Sequence, residues 1–190
     1  MEWSVSLAEQ LEWHWRHHAR PRLDGLTDVE YLWEPADGCW SVRRRDDAAP
    51  SSANFRAGGG EYVCDYGFPE PAPAPVTTIA WRLAHLVVGV FAARNHSYFG
   101  GAPASYDTWE FSGTADGALA QLDAEVDRWL AGVRALDDAG LAELVGDREP
   151  AEFAHLTVAD LVLHIHREAI HHLAEVALLR DLHAHRPLRG

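Results

Sequence analysis

TVADLVLHIHREAIHHLAEVALLR, residues 157–180, has the periodicity of a single amphipathic helix that carries ionisable groups on its buried side. At about 100° per residue, Val158, Leu161, Val162, Ile165, Ala169, Leu173 and Val176 fall on one face, which must turn to the core. His172 lies inside that apolar arc and Glu168 at its edge, with His164 and Glu175 beyond Glu168 and His171 pointing away. Glu168 and His172 are one turn apart, so a carboxylate oxygen and an imidazole nitrogen can converge above the helix. Thr157 and Asp160 make a capping-box start that fixes the register of the whole helix. A carboxylate and an imidazole on a core face need partners, because burying them uncompensated costs several kcal/mol. A divalent metal is one such partner; a plain hydrogen bond between the two is the other.

Upstream, three more long helices are expected. The first runs from about Ser6 to Asp24, opened by a Ser6/Glu9 capping box, with Leu7, Leu11, His14, Trp15 and His18 at helical spacing. His14 and His18 would then line either a pocket wall or a packed polar seam. A short capped helix is expected next, at Thr27–Leu32. The second long helix runs from Thr78 to Phe99, apolar on nearly all sides and therefore central. On it Arg82, His85, Gly89, Ala92 and His96 form one stripe, whose small residues leave space beside His85. His85 is thus either a ligand or a core histidine bonded to a carbonyl. The third, from Ala115 to Leu136, is a structural helix with a clean apolar stripe. After His183 the tail should fray.

Between the first two long helices, residues 44–76 show no sustained period and hold RRRDD, a GGG run and PEPAPAP. This reads as a long irregular loop, with Phe55, Tyr62, Tyr66 and Phe68 to pack it on the domain; loops of such length tend to be lids or binding walls. Four long amphipathic helices without convincing alternating strands argue for an all-α antiparallel four-helix bundle forming one domain over residues 1–190. Bundle cores commonly house metals held by side chains from facing helices, and His85, Glu168 and His172 fit that plan.

Composition narrows the function classes. The chain has 190 residues, 47% of them apolar, enough for one well-buried domain. A formal charge of -13, from 29 acidic against 16 basic residues, gives no footprint for nucleic acid or an anionic membrane. All 16 basic residues are arginine, so Schiff-base and lysine general-base chemistry are excluded. The longest apolar run, Leu86 to Ala93, cannot span a bilayer, and MEWSVSLAEQ lacks the features of a signal peptide, so a cytoplasmic location is expected. Cys39 and Cys64, both expected in irregular segments, fit reduced thiols there.

The motifs AWRLAHL at 80–86, REAIHHLAEVALLR at 167–180 and LTDVEYLWEP at 26–35 together resemble the DinB/YfiT-like superfamily of small four-helix-bundle metalloproteins. Most members bind a divalent metal through three histidines, one on the second helix and two at i, i+4 on the last. Here the first of the last-helix pair is Glu168, and R-E-x-x-x-H at 167–172 is similar to the mycothiol-dependent maleylpyruvate isomerase branch. That resemblance implies His85, Glu168 and His172 as ligands of zinc or of nickel, iron or manganese. A C-terminal domain like that enzyme's is not expected here, and the 44–76 excursion is unlike the compact members, so its substrate is not expected to carry over. The resemblance implies a metal-dependent transferase or isomerase that uses a low-molecular-weight thiol of the mycothiol or bacillithiol kind on a small electrophile. Arg82 or His96 would orient the anionic end of that substrate. The alternatives are a metal-binding or stress-associated protein without turnover, and a bundle whose polar cluster is a relic and whose main property is homodimerisation.

Overall fold

In the computed structural model, which describes residues 2–47, 51–69 and 71–187, most of the chain is helical, but the first helix starts at Trp3, after a Glu2 that makes no side-chain cap, so the Ser6/Glu9 capping box expected to open it lies inside it instead. α1 (Trp3–His14) continues through a π-helical stretch, Trp15–Ala19, and a 3-10 turn, Arg20–Leu23. The short α2 (Asp28–Tyr31) is capped by Thr27, whose side chain accepts from the Glu30 amide. The second long helix is continuous in three parts: α3 (Ile79–Ala84), a π-helical stretch His85–Ala92, and α4 (Ala93–Phe99), which ends on Gly100 in the left-handed region. α5 (Ala115–Arg134) starts on Thr114 and α6 (Asp138–Ala142) on Asp137. α7 (Val158–Ala184) opens on the expected capping box, with Thr157 Oγ1 accepting from the Asp160 amide and Asp160 Oδ2 from the Thr157 amide at 2.9 Å. It runs to Ala184; the end of the tail expected to fray, 188–190, lies outside the described residues.

The four long helical segments share one hydrophobic core. α1 packs on α5 and α7, and the α3 to α4 helix packs on both α5 and α7, which makes it central as its all-round apolar sequence requires. Gly132 permits the close passage of α4 over α5: a Cβ there would stand 2.2 Å from the Phe99 ring. His14 and His18 form a seam at the surface, rings stacked at 5.9 Å beside Trp13, with His18 exposed.

The 44–76 stretch, expected to be a loop without strands, instead contributes to a three-stranded antiparallel sheet. β1 (Val42–Arg44), β2 (Phe55–Ala57) and β3 (Tyr62–Tyr66) lie in the order β1-β3-β2, with Val42 and Ala57 both opposite Cys64. Strands of three to five residues are too short for a period of two to declare itself. Their buried positions also include a charged pair, Arg43 Nε to Asp65 Oδ2 at 2.8 Å, so hydropathy misreports which side is inside. Asp65 is fully buried and additionally accepts from Arg56, the Ser51 hydroxyl and the Ser41 amide. Cys64 therefore sits in the central strand rather than in an irregular segment; it and Cys39 are free, buried thiols, and burial pushes both pKa values up.

Candidate metal centre

Thr78 starts α3 from a buried position: its Oγ1 accepts from the Trp81 amide and donates to Ser41 Oγ. Two turns on, His85 opens the π-helical stretch, a local departure from α geometry that recurs at functional sites. Its ring stacks on Trp81 at 5.4 Å with only 10° between planes, and Trp81 is itself fixed by Nε1 donating to the Asp65 carbonyl at 2.8 Å. His85 Nδ1 lies 2.7 Å from the Tyr106 hydroxyl. The space foreseen beside His85 is thus filled by Tyr106, and Gly89 creates it: a Cβ at 89 would meet the Tyr106 oxygen at 2.5 Å and His85 Nδ1 at 3.0 Å. Burial, and then the charges of His172, Arg82 and Arg94, push the His85 pKa down to about 3, so the imidazole is neutral at pH 7, as a metal ligand must be. Burial also raises the Tyr106 phenol well above its usual range.

His172, on the core face of α7 and 8% exposed, meets His85 edge-on with ring centroids 4.7 Å apart. Its Nδ1 stands 2.7 Å from Glu175 Oε2, the distance of a charge-assisted hydrogen bond. Arg82 reaches both groups, Nε at 3.1 Å from Glu175 Oε2 and Nη1 at 3.4 Å from His172 Nδ1. The shorter contact makes Nδ1 the protonated nitrogen, donating to Glu175; the Arg82 Nε contact is an ion pair without hydrogen-bond alignment. In a ring protonated at Nδ1 alone, Nε2 is an acceptor, and 3.5 Å away stands another acceptor, Glu168 Oε2. Two lone pairs facing each other call for a cation between them, either a proton or a metal ion. A carboxylate holding the far nitrogen of a ligating histidine is the usual outer support of such a site.

The chain brings His85, His172 and Glu168 together pairwise through His172. Among the described residues the set whose ligand atoms all lie within 4.8 Å of one another, a spacing that could hold a divalent metal, is a different one, His171, His172 and Glu175, with His171 exposed and its Nε2 3.5 Å from Glu175 Oε1; His85 and Glu168 do not join His172 at that spacing. His96 is exposed and engages the Gly101 carbonyl at 2.9 Å; eleven residues of helix separate it from His85 by about 16 Å along the axis. Arg82 is spent on its ion pair with Glu175. Sequence reasoning missed Glu175 and Tyr106 as members of the cluster. The i, i+3 spacing of His172 and Glu175 was a signal for the first; the second comes from an irregular segment that periodicity does not reach.

No helix among the described residues is long and apolar enough to cross a membrane. A family model for the DinB superfamily matches residues 10–176, a span that takes in His85, Glu168, His172 and Tyr106. Comparison with curated proteins and with solved structures gives no match.

Proposed function

The chain belongs to the DinB superfamily, and from that membership and the geometry we propose that it binds a divalent metal, zinc or a similar first-row ion, through His85, Glu168 and His172. The frame is read as an antiparallel four-helix bundle whose second and last long helices face each other across the site. The observation that supports the proposal is the convergence on His172, whose Nε2 lies 3.5 Å from Glu168 Oε2 and whose ring meets that of the neutral His85 at 4.7 Å. Two nitrogens and one carboxylate leave coordination positions open, which suits catalysis better than a closed structural site.

The reaction class proposed is a cytoplasmic transferase or isomerase in which a low-molecular-weight thiol attacks a small electrophile, as the R-E-x-x-x-H pattern suggests. When bound, the metal supplies a field that holds such a thiol as its thiolate. The protein's own groups do the rest. Glu175 holds the Nδ1 proton of His172, Arg82 holds Glu175, and Trp81 with Tyr106 fixes the plane of His85. Arg82 is thus a positioning residue more than a binder of substrate.

Metal analysis of the purified protein with Glu168→Ala and His171→Ala variants tests the ligand set. Glu168→Ala should lose metal on dialysis against a chelator and His171→Ala should keep it. The reverse result would move the site to His171, His172 and Glu175, nearer the solvent, and would favour metal binding without turnover. A thiol-consumption screen with electrophiles on loaded protein then tests the reaction class.

A further inference from the structure

A cavity of about 470 Å³ opens between the first half of α7, the 145–156 segment and Arg94 of α4, outside the ligand cluster. Its size is that of a small-molecule site. Phe153, Leu156 and Leu161 give it apolar walls, and Arg94, Glu149, Asp160, His164 and Arg167 bring charge or polarity to it. Most of those polar groups are already committed. Arg94 donates to Glu149 at 3.0 Å and to the Gly89 carbonyl, and the Glu149 side chain is nearly buried in that pair. Asp160 is tied into the capping box of α7. Arg167 differs: its partner is a ring nitrogen, His164 Nδ1, at 2.8 Å, and among the described residues no carboxylate pairs with it. The cavity therefore presents one guanidinium charge unmatched by an anion, beside an apolar interior.

Two of the cavity's lining residues, His164 and Arg94, reach toward the proposed centre. His164 Nδ1 is 3.9 Å from Glu168 Oε1. Arg94 holds the carbonyl of Gly89, the residue packed against His85.

We propose that this cavity is a subsite for a small organic carboxylate with an apolar, aromatic or branched body, its anionic end on Arg167 and its body against Phe153 and Leu161. Its role as the substrate pocket rests on the metal-centre reading above, but its binding chemistry does not. The occupant would lie against His164, which separates it from Glu168, while Arg167 keeps hold of the carboxylate.

Phenylacetate and its neutral isostere phenylacetamide are suitable probes, titrated by calorimetry and by chemical-shift mapping into protein dialysed against a chelator and into protein loaded with zinc. Phenylacetate should bind both forms, shift Phe153 and Leu161 signals, and exceed the amide by at least about tenfold, the worth of a charge-assisted hydrogen bond. Arg167→Gln should abolish that preference while leaving amide binding and metal content unchanged. Leu163→Trp, at the half-exposed rim, should weaken both probes and so keep the test open if the first variant folds poorly. Equal binding of acid and amide, or a preference that survives Arg167→Gln, overturns the subsite. A preference seen only in zinc-loaded protein would mean that the metal takes the carboxylate, and overturns it too. Arg167-dependent binding in protein that retains no metal leaves the subsite standing and removes the metal centre, so the two readings fail separately.

Discussion

Replacing Asp65 by asparagine tests how firmly the small sheet is bound to the helices. The carboxylate is wholly buried and takes four donors: Arg43 Nε at 2.8 Å, Arg56 Nε and Ser51 Oγ at 3.0 Å, and the Ser41 amide at 3.1 Å. Asparagine preserves the shape but removes the charge and turns an NH2 group toward donors. Removing one partner of a buried ion pair costs about 3–5 kcal/mol, because the other charge stays buried. Arg43 retains Glu34 at 2.6 Å and the Cys39 carbonyl at 2.8 Å, and Glu34 is partly solvated, so the loss should fall near the lower end, about 3 kcal/mol. For a chain of this size that corresponds to a fall in Tm on the order of 10 °C. Calorimetry and urea unfolding, with Asp65→Leu as a harsher companion, provide the measurement. A loss under about 1 kcal/mol in both variants, at unchanged urea slope, would mean that water already reaches the Asp65 cluster and that the sheet does not depend on it.

Four further outcomes are expected. His166 is buried against Trp129, Nε2 without a hydrogen-bond partner among the described residues, and burial lowers its pKa from 6.5 to about 4. The unfolded chain therefore takes up this proton first, so the contribution is intact above pH 6.5 and lost as pH falls through 4, a drop of about 3 kcal/mol in all; His166→Phe should remove that part of the acid limb in pH-dependent unfolding. Gly89→Ala should break the Tyr106 to His85 hydrogen bond, because the added Cβ collides with the Tyr106 oxygen, and should lower both zinc retention and Tm, since two buried polar atoms lose their partner at about 1–3 kcal/mol. Glu175→Gln should lower metal affinity about 10–100-fold by freeing the His172 ring, and unchanged affinity in a chelator competition would show that the ring needs no such support. Glu168→His should keep the metal and shift any pH-rate profile toward acid, because a neutral ligand leaves the ion a stronger Lewis acid.

The features legible in the sequence were the local ones. Thr27, Thr78 and Thr157 each announce a helix because the capping hydroxyl and the amide it serves lie within three residues, and each accepts that bond here. The inward faces of the second and last long helices likewise put His85 and His172 toward one core, and their rings meet. The sheet was illegible because its strands are short and its buried side carries Arg43 and Asp65, which hydropathy counts as solvent-facing. Glu175 was placed on the flank of the helix from its angle alone; the His172 ring turns toward it, and the pair forms through side-chain reach. Tyr106 belongs to a segment without periodicity, and only the glycine at 89 hinted that something large had to fit there.

The sheet and Tyr106, both illegible for want of a period, meet at the site. β3 reaches His85 by two routes: the Asp65 carbonyl holds the Trp81 indole that stacks on the imidazole, and Tyr66 packs on Tyr106, whose hydroxyl meets Nδ1. β3, anchored by Asp65, is therefore a wall of the proposed centre. If so, loosening that anchor should degrade the site before it unfolds the helices. Asp65→Asn protein at a temperature well below its own Tm should already hold zinc less tightly, since the Trp81 and Tyr106 supports of His85 relax with β3 while Glu168, Glu175 and His172, all on α7, stay in register. Native zinc affinity in the folded variant would cut this link, and His85 would then owe its position to α3 alone.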